Sequence, residues 1–179
     1  MQTSWQEVAK LSEQYSSTRL EYWLNETLFT ISWWVLLATT LGLCIVWVII
    51  LDKKRIFEIL SYGFMVSSIS TILDALGVIL MFWQYNHTLT PLSIPIEIHI
   101  VQMPIIYMII YQYFRPWKTF LIAITINAFI FAFILEELLV WLHIYELQSW
   151  EHIYSFFPYI LIGVFIKWVI DKFGQKYFA

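Results

Sequence analysis

Between residues 27 and 170 the sequence passes through five apolar stretches, each about as long as a bilayer is thick. They cover about 27–51, 56–83, 94–114, 119–142 and 153–170. At 1.5 Å per residue, about 20 residues of helix cover a hydrocarbon core of roughly 30 Å. Lipid offers backbone N–H and C=O groups no partner, so a helix that pairs them internally is expected for each stretch. The expected fold class is all-α: a polytopic transmembrane bundle of five spans. Composition agrees, with 60% hydrophobic and 13% charged residues, against about 25% charged in a soluble domain. There is no glycine-rich phosphate loop, nucleophile elbow or basic patch, so no nucleic-acid partner is expected. The partner that composition does imply is the lipid bilayer.

Lys and Arg set an expected orientation. Lys53, Lys54 and Arg55 separate spans one and two, and Arg115 and Lys118 separate spans three and four. Lys167, Lys172 and Lys176 end or follow span five, while the loops at 84–93 and 143–152 hold no Lys or Arg. Under the positive-inside rule the C-terminus is cytoplasmic and the N-terminus is outside, in a multi-pass protein of the cell membrane. Residues 1–26 lack the apolar core of a signal peptide. Trp5, Val8, Leu11, Tyr15 and Tyr22 recur there at helical spacing, which predicts an amphipathic helix on the outer interface. The expected domains are this segment, 1–26, and a five-span domain, 27–179.

Residues 53–114 and 115–176 also share an order of features: a basic loop, a span with an acid in its last third, a loop free of Lys and Arg, a proline, and a returning span. Such parallel repeats occur in transporters, with sites at the repeat interface.

Four carboxylates lie within the apolar stretches, at Asp74, Glu97, Glu136 and Glu137. A buried Asp at a helix centre costs about 2.5–3.5 kcal/mol on insertion scales, so intramembrane acids mark functional sites by default. The expected topology brings Asp74, Glu97 and Glu136 to one depth near the outer face. Ser67, Ser70, Thr71, Asp74 and Gly77 form one stripe, and small or hydroxylic residues favour helix–helix contact in lipid. Thr125, Ala128, Ala132 and Glu136 form a second, from which Glu137 is turned about 100°. Pro104 is expected to kink span three. With no basic side chain at this depth, the acids must hold protons, share them, bind a cation or meet water.

The candidate site is therefore Asp74, Glu97 and Glu136 as catalytic groups. Glu137, His99, Trp83, Tyr85, Tyr145, Tyr154, Ser70 and Thr71 are expected around them. No metal-ligand spacing is present and no cofactor is expected. The single Cys44 reads as a small buried hydrophobe.

Two resemblances extend this. The segments YMIIYQYF at 107–114, Arg115-Pro-Trp-Lys118, and Leu139 to Tyr145 with Trp150 and Ile153-Tyr-Ser-Phe156 resemble uncharacterised small integral membrane proteins of endospore-forming bacteria. That likeness implies architecture and brings no activity. A shorter one joins Asp74, Trp83 and Tyr85 to Pro95-Ile-Glu97, which is similar to the lycopene cyclase domain: an Asp, an aromatic pair nine to eleven residues on, then P-x-E-E. Here the second acid is Ile98, and the glycine usually just before the tryptophan is absent. This resemblance implies an acid/base isomerase or cyclase acting on an isoprenoid-type lipid, a lipid-like small molecule. The sequence also leaves open a proton- or cation-linked transporter or channel component, which at five spans would need to oligomerise, and a membrane assembly protein.

Overall fold

The computed structural model describes residues 4–177. Among the described residues the regular structure is helical but for two three-residue strands. Four helices among the described residues are long and apolar enough to cross a membrane: Ile31–Ile50, Lys53–Ile79, Trp117–Trp141 and His152–Phe173.

The first helix, α1 (Trp5–Tyr22), starts in a capping box: Glu7 N–H donates to Ser4 Oγ, and Ser4 N–H donates to the Glu7 carboxylate. It buries no residue, and Trp5, Val8, Leu11, Tyr15 and Tyr22 are all exposed. A π-helical turn, Trp23–Thr27, follows. The second helix, α2, is Ile31–Ile50, and Thr30 caps it by accepting from Trp33 N–H. The predicted first span therefore starts four residues late, because the chain breaks at Phe29 with φ 64°. Cys44 in α2 is half-buried, not buried as expected, since this helix buries only Ser32 and Leu36.

The third helix, α3 (Ile56–Ile79), ends short of the predicted residue 83. Its last turn closes with Met81 N–H donating to Val78 C=O and Phe82 N–H to Gly77 C=O, with Met81 at φ 56°. This is a Schellman motif with a left-handed residue just past the helix end. The strand β1 (Trp83–Tyr85) follows directly. Next come a π-helical turn, Glu97–Gln102, and α4 (Met103–Tyr113). Pro104 has no N–H and crowds the carbonyl four residues back. The widened turn, in which Met103 N–H reaches Ile98 C=O, accommodates it.

Helix α5 (Trp117–Ile130) continues through a third π-helical turn, Phe131–Leu135, into α6 (Glu136–Trp141). The extra residue in that turn advances the helix phase by about 100°. It corrects the predicted stripe: Thr125 is exposed, and Ile124 takes its place with Ala128, Ala132 and Glu136 on the buried face. Helix α6 ends as α3 does. His143 N–H donates to Val140 C=O and Ile144 N–H to Leu139 C=O, with His143 at φ 54°. The strand β2 (Tyr145–Leu147) and α7 (His152–Tyr177) complete the chain.

The strands pair antiparallel, Trp83 with Leu147, Gln84 with Glu146 and Tyr85 with Tyr145. Each bond of the α3 turn recurs in the α6 turn 62 residues later, the same interval that separates Asp74 from Glu136. In that register Gln84 faces its own counterpart, as a two-fold axis through the pair would require.

Helix α3 packs on α4 and α7, and α5 packs on α7. The core away from the strands holds Ile59, Tyr62, Val66, Tyr107, Tyr111, Phe120, Ile124 and Ile166. Its tyrosines each find an acceptor, as buried hydroxyls must: Tyr62 on Gly163 C=O, Tyr107 on Tyr159 C=O and Tyr111 on Glu58. Glu58 also takes two bonds from Arg55, at 2.8 and 3.0 Å. The outer faces of the long helices are apolar and exposed, with Ile45, Ile49, Phe57 and Phe64 among them.

Candidate functional site

The turn after α3 throws the chain back over its own last helical turns. Residues nine and eleven positions after Asp74 thereby return to it. Trp83 Nε1 donates to Asp74 Oδ1 at 2.9 Å and Tyr85 Oη donates to the same oxygen at 2.7 Å. His99 Nε2, from the π-helical turn before α4, lies 3.3 Å from that oxygen. Gly77 is one turn from Asp74, and a side chain there would run into the Trp83 indole. Asp74 Oδ2 is buried and finds no donor among the described residues. One oxygen of this carboxyl is thus crowded with donors and the other has none.

Asp74 opens onto a cavity of about 250 Å³. Its other polar walls are Ser70, His99, Glu136 and Ser155. Its aromatic walls are Phe82, Trp83, Tyr85, Tyr145, Trp150 and Tyr159. Trp150 stacks on Phe82 at 5.2 Å and meets Trp83 edge-on at 5.1 Å. Burial first, and the neighbouring carboxylates second, hold the Tyr85 and Tyr145 phenols well above their ordinary range. Both therefore remain donors at any working pH. Leu73, Leu76 and Leu80 of α3 line the cavity and are also 44%, 49% and 58% exposed. The cavity thus reaches the flank of the bundle through an apolar rim.

Glu136 is held differently. Tyr159 Oη donates to its Oε1 at 2.8 Å, and His152 Nδ1 bonds its Oε2 at 2.7 Å. Both partners come from α7, 16 and 23 residues along the chain.

Of the predicted site residues, Asp74, Glu136, His99, Trp83, Tyr85, Tyr145 and Ser70 meet at this cavity. Glu97 is buried but does not line it. Its Oε1 accepts from Leu89 N–H at 3.0 Å, and its Oε2 is unpartnered among the described residues. It anchors the loop after β1, which α1 grips from outside: Arg19 donates to the carbonyls of Tyr85 and Leu92. Trp23 Nε1 donates to Thr88 C=O in the same loop. Thr71 and Tyr154 also lie off the cavity; Tyr154 packs edge-on against Trp150 at 5.4 Å. Glu137 points outward.

Sequence reasoning did not place His152, Tyr159 or Trp150 in the site. All three belong to the segment after β2, which strand pairing and the packing of α7 on α3 bring over Asp74. Among the described residues no three His, Cys, Asp or Glu side chains converge as metal ligands would.

Comparison with known proteins found no matching family model, no matching curated protein and no matching solved structure.

Proposed function

We propose that the protein is an acid/base isomerase or cyclase of an isoprenoid-type lipid, with Asp74 as acid and Glu136 as base. The observation that carries this reading is one apolar, aromatic-walled cavity that holds two carboxylates from different helices and reaches the bundle flank through Leu73, Leu76 and Leu80. A lipid chain would enter there without leaving the hydrocarbon phase.

In the reaction, the proton on Asp74 Oδ2 passes to a substrate C=C, breaking O–H and forming C–H. The carbocation left behind is sheltered by the faces of Trp83, Tyr145 and Trp150, whose quadrupoles attract positive charge. Glu136 removes a proton from a neighbouring carbon and a new double bond forms, with or without ring closure in between. The product has the substrate's formula. Two carboxyls with one role each need environments that set them apart. Three donor groups converge on one oxygen of Asp74, whereas both oxygens of Glu136 are engaged.

The reading includes five membrane crossings, the fifth being the shorter helix through Glu97–Gln102 and Met103–Tyr113. It places α1 on the interface, the strands and N-terminus outside, and the C-terminus in the cytoplasm. It treats 53–114 and 115–176 as copies of one unit; the recurrence of the two helix-ending turns supports this. Transport is less well supported, because beyond the cavity the bundle is filled by Tyr62, Val66, Tyr107 and Ile124.

The test is expression of wild type, Asp74→Asn and Glu136→Gln in cells rich in linear polyprenoids. Lipid extracts are then compared by chromatography and mass spectrometry. The expected result is an isomer of unchanged mass and new retention time, made by wild type alone. Identical extracts from well-expressed proteins would sink the reading.

A further inference from the structure

Glu136 and Glu137 are consecutive on α6, and helix geometry turns their side chains about 100° apart. The Glu136 side chain is 8% exposed and faces the cavity, while that of Glu137 is 63% exposed. One imidazole bridges them. His152 Nδ1 is 2.7 Å from Glu136 Oε2, and its Nε2 is 3.3 Å from Glu137 Oε1. The His152 side chain is itself 16% exposed and sits between the buried acid and the exposed one. A neutral imidazole carries a proton on one nitrogen and a lone pair on the other, so it can take a proton at one end and release another at the other.

We propose that Glu136, His152 and Glu137 form a proton relay joining the cavity to solvent at the strand end of the bundle. In the outward step, the O–H bond of protonated Glu136 breaks and His152 Nδ1 gains that proton. The Nε2–H bond breaks and Glu137 Oε1 gains that proton. Glu136 is left a carboxylate, the imidazole stays neutral in its other tautomer, and Glu137 releases its proton to water. The ring recovers its first tautomer by exchange with solvent. The other titratable groups around Glu136 are Tyr159 of α7 and Tyr145 of β2.

Asp74 has no matching path. Its close partners are an indole N–H, which only donates, a buried phenol, and His99, whose Nδ1 is buried without a partner among the described residues. The relay rests on the proposed function only for its use, which is to release the proton Glu136 gains in each turnover, while Asp74 takes up one proton through the shared cavity once product leaves.

The test is a pH jump on the purified full chain in nanodiscs, followed by time-resolved infrared absorption. The carboxyl band of Glu136 is assigned by its loss in Glu136→Gln, and the jump spans the midpoint of that band. His152→Gln keeps a polar group beside Glu136 but cannot both accept and donate in the relay. It is expected to slow the response roughly 100-fold or more, the low end of what a positioned proton-transfer group contributes. Glu137→Gln, at an exposed position the fold does not depend on, is expected to slow it in the same direction. Circular dichroism checks that helix content is kept. An unchanged rate in both variants would overturn the relay. The infrared signal needs no substrate, so failure of the lipid assay leaves this result standing, and failure here leaves the lipid assay unaffected.

Discussion

The segments 74–85 and 136–147 share one backbone and differ in wiring. Each ends a helix with the same two turn bonds, places a non-glycine residue at positive φ, and runs into a three-residue strand. Each carries an acid seven residues before that strained position. Asp74, however, is enclosed by side chains of its own following strand, whereas Glu136 is bound by α7 and continues through His152 to an exposed acid. The same scaffold thus supplies one carboxyl held by its own strand and one held by α7. The difference lies in what each strand carries at its ends. Trp83 and Tyr85 both donate to Asp74, while Leu147, the counterpart of Tyr85, has nothing to donate.

Removing each acid breaks the comparison most sharply. Asp74→Ala leaves the Trp83 and Tyr85 donors without their acceptor in a buried site, at about 1–3 kcal/mol for each group left unpaired. A loss of roughly 3 kcal/mol is expected in denaturant unfolding of the detergent-solubilised protein. Glu136→Ala is expected to cost about half as much, because His152 keeps Glu137 as a partner. Equal losses would mean that the two acids are enclosed alike.

Gly77→Ala tests the packing beside Asp74. A methyl group there meets the Trp83 indole, and overpacking of this kind costs about 1–3 kcal/mol. The expected signature is a change in Trp83 fluorescence together with lost stability. The equivalent position in the other segment is Leu139, where a large side chain already fits.

Met81→Gly and His143→Gly test what the two segments share. Both residues are exposed and left-handed, and glycine removes the steric cost of that conformation. Each substitution is expected to raise stability by about 0.5 kcal/mol after the added freedom of the unfolded chain is counted. Unequal gains would show that one turn is held by its surroundings.

The smallest effect concerns His87, in the loop that only the first segment carries. Burial, and then the nearby His143 and Arg19, hold its ring below the ordinary histidine value of 6.5. The neutral form is therefore favoured by folding. Its contribution is complete above pH 6.5, falls as pH drops below that value, and levels once the folded ring is also protonated. His87→Gln should flatten a shallow decline in melting temperature on the acid side.

What could be read from the sequence was local. Asp74, Trp83 and Tyr85 were legible as a set only through the resemblance to the lycopene cyclase domain, since the turn that closes the interval falls inside the expected span 56–83. Ser70 and Gly77 were legible because helical spacing puts them on the Asp74 face. Thr125 was misplaced because a π-helical turn has no sequence signature and moves every preceding residue by one step of phase. Glu97 was grouped with the other acids by depth. Its position on the helix turns it instead toward Leu89 and the loop gripped by Arg19.

The sequence by itself determined that this chain forms long apolar helices, since a backbone in lipid has no other way to satisfy its hydrogen bonds. Tertiary structure alone decided that Asp74 and Glu136 share a cavity, that Glu97 does not, and that His152 and Tyr159 complete the site. Those outcomes depend on α7 packing on α3 and on two three-residue strands pairing across 62 residues of chain. Segments so short have almost no stability until the helices that carry them are packed.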